Sequence, residues 1–87
     1  MPRWAKARDK NDLEIYRALD EAYCAPIRGN DCDIYARHRN GHGMLLEVKT
    51  TKGRMRPIQR ELAMLFGDRY VVVRDVESAL IACGISP

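Results

Sequence analysis

Asp33-Ile34-Tyr35-Ala36-Arg37-His38-Arg39-Asn40-Gly41-His42-Gly43-Met44-Leu45-Leu46-Glu47-Val48-Lys49 reads as two strands joined by a polar turn. Asn40-Gly41 is a strong hairpin signal, set here in a turn longer than two residues. The first strand is expected over residues 33 to about 39 and the second over about 43 to 49. Side chains alternate along a strand. Met44, Leu46 and Val48 therefore share one face, and Leu45, Glu47 and Lys49 share the other. A strand apolar on both faces up to its charged end is expected to be central in its sheet. Glu47 and Lys49 then sit together where a buried strand meets solvent, and the hairpin brings Asp33 near them.

Upstream, a helix is expected over residues 12 to 23, with Asn11 or Asp12 as its N-cap. Leu13, Tyr16, Leu19 and Tyr23 recur at helical spacing and would face the core. Pro26 ends this helix and marks a short edge strand over residues 25 to 28. Gly29-Asn30-Asp31 is a turn signal. Downstream, residues 50 to 56 read as a loop, and Pro57 fits the first turn of a helix running to about Phe66. Ile58, Leu62, Leu65 and Phe66 would form its apolar side, with Gly67 as its C-terminal cap. Tyr70-Val71-Val72-Val73 is a buried strand, reached through a helix and so parallel to the central strand. Asp75 would cap a last helix over residues 76 to 83, ended by Gly84. The expected fold is α/β, of order α-β-β-β-α-β-α, a mixed sheet with helices packed on it.

The 87 residues fit one domain, residues 11 to 87, preceded by a basic arm over residues 1 to 10. A domain this small buries a modest share of its surface, so a second copy would help its stability. No apolar run approaches the roughly 18 residues that span a membrane. Met1-Pro2-Arg3-Trp4 is not the start of an apolar leader, so the cytoplasm is the expected compartment. Cys24, Cys32 and Cys83 make an odd count without CxxC spacing, which favours reduced, partly buried thiols. His38 and His42 bracket the hairpin turn; with no further histidine they read as turn residues rather than zinc ligands.

Net charge is +3, and its distribution matters more than its sum. Lys49, Lys52, Arg54, Arg56 and Arg60 follow one another with no acidic residue between them, and Arg3, Lys6, Arg8 and Lys10 line the arm. Alone, such a strip is a solvated loop. Beside a carboxylate pair, it is what a protein gripping phosphates while holding a metal needs.

Magnesium is small and hard, takes oxygen ligands and keeps several waters. Asp33 and Glu47 can supply two carboxylate oxygens, and the Val48 carbonyl a third. A metal so placed acidifies a water and neutralises charge on an attacked phosphate. Lys49, facing the same way as Glu47, can position that water or stabilise the developing charge. The competing reading is a solvent-facing Glu47–Lys49 ion pair, which is common and contributes little.

Several segments in order strengthen the chemical reading: Arg8-Asp9-Lys10-Asn11 followed by Glu14, Asp33-Ile34-Tyr35-Ala36, Leu46-Glu47-Val48-Lys49, Met55-Arg56-Pro57-Ile58-Gln59, and Tyr70 through Leu80. Together they resemble the PD-(D/E)XK nuclease superfamily, and within it the small VRR-type nucleases found often in phages. The resemblance implies a restriction-endonuclease-like core and an origin in a phage or prophage. By it, Asp33 and Glu47 hold Mg2+ or Mn2+, Lys49 is catalytic, and Gln59 sits beside the site. Glu14 would bind or orient the metal through water. It also implies a homodimer acting on branched DNA such as a four-way junction. Lys52, Arg54, Arg56 and Arg60 would track the DNA backbone by charge. Three positions depart from the family pattern. Cys32 stands where a proline is common, Arg56 stands where a threonine cap is common, and Asp31 competes with Asp33 as ligand. The expectation is a metal-dependent DNA endonuclease; the other reading is a nuclease-fold module that binds DNA or protein without cutting.

Overall fold

Met44, Leu45, Leu46 and Glu47 are all buried, which requires a strand covered on both faces. They belong to β3 (Gly43–Val48), an inner strand of a four-stranded sheet. The computed structural model describes residues 10–29, 32–49 and 57–86. Around β3 lie α1 (Lys10–Glu21), β1 (Ile27–Arg28), β2 (Ile34–Arg37), α2 (Pro57–Phe66), a 3-10 turn (Gly67–Arg69), β4 (Tyr70–Val73) and α3 (Val76–Ala82). The sheet order is β1-β2-β3-β4; β3 runs antiparallel to β2 and parallel to β4. The α/β fold of order α-β-β-β-α-β-α is therefore the one read from the sequence.

Alternation along β3 divides the core between two faces. Ile34, Ala36, Met44, Leu46 and Val73 pack with Ile15, Leu19, Ala79, Cys24 and Cys83 under α1 and α3. Leu45, Cys32 and Tyr70 pack with Leu62 under α2. Glu47 shares the α2 face. All three cysteines are free and buried. Among the described residues, no helix is long and apolar enough to cross a membrane.

Strand ends are tighter than expected: β2 starts one residue after Asp33, β3 stops one residue before Lys49, and β1 is a two-residue edge strand. The hairpin turn closes through His38, whose N–H donates to the His42 carbonyl at 2.7 Å. Asp75 caps α3 as expected. Its carboxylate accepts from the Ser78 N–H at 2.7 Å, which lowers the Asp75 pKa, and the Ser78 hydroxyl accepts from the Asp75 N–H. After α3 the chain turns at Gly84, with φ 78°; a Cβ there would come within 2.7 Å of the His38 ring.

Two helix faces differ from the expected ones, for one reason. In α1, Leu13 is exposed, as is Tyr23 just beyond the helix, while Asp12 is buried with Ile15 and Leu19. Asp12 turns inward because Arg28 of β1 meets it as an ion pair, and that guanidinium also lies 4.5 Å over the Tyr16 ring. Neither Asn11 nor Asp12 is the N-cap: both lie inside the helix, and Asn11 donates to the Arg74 carbonyl at 2.8 Å. The helix ends at Glu21, before Tyr23 turns into positive φ. In α2, Ile58 and Leu65 are exposed, and the buried residues are Gln59 and Leu62. A polar side chain turns inward in each helix because the fold supplies it a partner, which removes most of its burial cost.

The Asp12–Arg28 pair carries a stability prediction. Arg28→Ala strips a buried carboxylate of this cation. Because Arg28 is 34% exposed, the expected loss is about 2 kcal/mol, below that for breaking a fully buried pair. Urea unfolding at pH 7 measures it, and a loss indistinguishable from zero would show the pair to be ornamental.

Candidate active site

The register of the hairpin assembles the site. Ile34 stands opposite Leu46, so one step further brings Asp33 opposite Glu47, on the same face of the sheet. The Asp33 N–H donates to the Leu46 carbonyl at 3.1 Å. Its carboxylate Oδ2 accepts from the Val48 N–H at 2.8 Å. Asp33 thus extends the β2–β3 ladder with its side chain where the β2 main chain turns away. The N–H and C=O of one strand residue point toward the same neighbour. The Val48 carbonyl therefore lies on the Asp33 side of β3.

Glu47 is only 4% exposed. Its Oε1 accepts from Gln59 Nε2 at 2.7 Å and from the Tyr70 hydroxyl at 3.3 Å. Gln59 reaches it from the first turn of α2 and is itself fully buried. Tyr70 reaches it because β4 pairs in register with β3, Leu45 facing Tyr70 two residues before Glu47. Burial pushes the Glu47 carboxyl up to about 7; a hydrogen bond with Asp33 and its charge push the same way, while Lys49 and Gln59 oppose them. Burial and then the charge of Glu47 raise the Tyr70 phenol, which stays protonated. Cys32, beneath the site, has its thiol raised to about 11, mainly by burial; it is a packing residue whose Sγ lies 3.3 Å from the Ile34 carbonyl.

No protein-family model, curated protein or solved structure matches this chain.

Asp33, Glu47, Val48, Lys49 and Gln59 are brought together at one end of the sheet. Lys49 follows β3 directly, half-buried, and its N–H donates to the Val73 carbonyl at 3.0 Å. Its charge acts on Glu47 through space. A solvent-facing Glu47–Lys49 pair does not describe this arrangement, because Glu47 is buried. Arg60 follows Gln59 on α2 and is exposed. Glu14 is exposed on α1. Asp31, Lys52, Arg54, Arg56 and the basic arm before Lys10 lie outside the described residues.

Two oxygens from contacting carboxylates, with a main-chain carbonyl on the same side, fit a small hard dication. Such an ion would offset the burial and the Asp33 charge that together raise Glu47, and it needs few protein ligands because it retains waters. Among the described residues no group of three or more His, Cys, Asp or Glu is placed to share a metal. The site itself offers two such side chains, Asp33 and Glu47. Zinc-type chemistry at the hairpin turn has no support: His38 Nδ1 accepts from the Asn40 N–H at 3.0 Å, which gives that ring a turn-stabilising role.

Sequence reasoning missed Tyr70 and Asp12. Tyr70 was legible only as an apolar strand residue; the signal that would have found it is the parallel register, which places it on the Glu47 face. Asp12 is expected from the sequence only as a candidate N-cap, and nothing local marks its pairing with Arg28.

Proposed function

We propose that this chain is a metal-dependent endodeoxyribonuclease, with Mg2+ or Mn2+ held by Asp33 and Glu47. The observation that carries this reading is the contact between these two carboxylates at the end of the central strand, with Lys49 beside them. Bound there, the ion would acidify a water and neutralise charge on a phosphodiester.

The chain's own groups have separable tasks. Asp33 and Glu47 supply negative oxygens at a fixed spacing set by the hairpin register. Gln59 and Tyr70 orient Glu47. The Lys49 ammonium would stabilise the charge that builds on the attacked phosphate, and a preorganised charge there would lower the barrier. Arg60, with Lys52, Arg54 and Arg56, would hold the DNA backbone without reading its sequence. The likeness of the ordered motifs to PD-(D/E)XK nucleases of the VRR type supports branched DNA as substrate and a homodimer as the working form. Two sites on a symmetric dimer can nick two strands.

Incubation of labelled four-way junction and linear duplex with Mg2+ or Mn2+ tests the proposal. Cutting that prefers the junction and stops on chelation is expected. Wild-type protein that cuts no substrate above the Lys49→Ala background would overturn the enzymatic reading. Metal uptake together with junction binding, but no cutting, would point instead to a binding module built on the same site.

A further inference from the structure

We propose that Tyr70 is a positioning residue for the metal site, acting through Glu47. The inference rests on the nuclease reading above and extends it to a residue to which the resemblance assigns no role.

Two neutral donors converge on one atom. Gln59 Nε2 and the Tyr70 hydroxyl both donate to Glu47 Oε1. Together they occupy the acceptor capacity of that oxygen; Asp33 meets the same carboxyl group, so a cation bound by both acids would take the place of that contact. They also come from different elements, α2 and β4, so rotation of the carboxylate breaks bonds on two sides. All three side chains are buried, and no solvent rearrangement can substitute for either donor cheaply.

The neutrality of the donors matters. An arginine or lysine at either place would cancel the charge that attracts a dication. An amide and a phenol fix the geometry and leave the charge on Asp33 and Glu47 intact. Outer-shell partners of this kind are worth about 10- to 100-fold in metal affinity. At 3.3 Å the Tyr70 bond is long for an O–H···O contact, which places the expected effect near the lower end.

Tyr70→Phe removes the hydroxyl and keeps the ring that packs against Leu45 and Leu62. Isothermal titration with Mn2+ alone, at pH 8, compares it with wild type, and thermal unfolding in chelator checks that it folds. The expected result is roughly 10-fold weaker Mn2+ binding, and a lower cleavage rate at saturating metal with KM for DNA unchanged. Gln59→Leu should weaken binding in the same direction, because it removes the other donor to the same oxygen. Tyr70→Phe that binds Mn2+ as wild type does would overturn the role of Tyr70 and leave the site standing. Wild-type protein that takes up no Mn2+, or takes it up equally after Glu47→Gln, would overturn the site itself and the Tyr70 role with it.

Discussion

Lys49→Ala is expected to cut DNA roughly 100- to 1,000-fold more slowly than wild type, the scale for removing one preorganised charge-stabilising group. Metal binding should survive, and even tighten, because the substitution removes a positive charge that acts on Glu47. This split separates a catalytic lysine from one that merely props up the strand end. Lys49 also holds its place through its main chain, the N–H bonded to the Val73 carbonyl, so alanine should leave the β3–β4 ladder intact. Single-turnover cleavage of a labelled junction gives the rate, and Mn2+ titration gives the affinity. A variant within threefold of wild type would remove Lys49 from the mechanism. Loss of rate and of metal together would instead assign it a structural part.

Glu47→Gln should produce a protein that is more stable without metal and unable to hold it. Glu47 is raised from 4.5 to about 7 by its buried, like-charged surroundings. The neutral carboxyl is the form the fold prefers. Stability from it is fully present below pH 4.5 and is lost as pH rises through about 7. The gap between those values corresponds to on the order of 3 kcal/mol. Glutamine stays neutral and can still accept from Gln59 and Tyr70. Metal-free wild type and Glu47→Gln should therefore unfold alike near pH 4, and the variant should be the more stable above pH 7. Denaturant melts in chelator at both pH values measure the difference. Equal stability at pH 8 would mean that the Glu47 charge is not opposed by the fold. Added Mn2+ should stabilise wild type alone. A site that destabilises its own scaffold until loaded is a familiar functional trade-off.

The elements with local punctuation were legible in the sequence. Pro57 and Gly67 bracket α2, Asp75 caps α3, and Tyr70–Val73 is a strand because four strand-favouring apolar residues lie between a turn and a cap. The hairpin and its two charged positions were legible because alternation and Asn40-Gly41 are local signals. The buried polar residues were not. Hydrophobicity alone selects Ile58 and Leu65 as the inner face of α2 and Leu13 and Tyr23 as part of that of α1. The fold buries Gln59 and Asp12 instead. Whether a polar side chain is welcome inside depends on a partner from another element: Glu47 for Gln59, Arg28 for Asp12. That information is absent from the helix's own periodicity. The resemblance marked Gln59 as a neighbour of the site; only the three-dimensional packing places its amide on Glu47 Oε1.

The way Asp33 and Glu47 share one hairpin also bears on the order in which the chain assembles. A hairpin closes in about 1–10 μs. Parallel pairing of β3 with β4 needs a longer loop to close first, and is slower. The two acids are thus neighbours early in the search, while Gln59 and Tyr70, which steady Glu47, arrive from beyond the crossover. At neutral pH the nascent hairpin carries like charges face to face with nothing yet to hold them. Protonation of either acid would ease that repulsion, so this hairpin should close more readily in mild acid than at neutral pH.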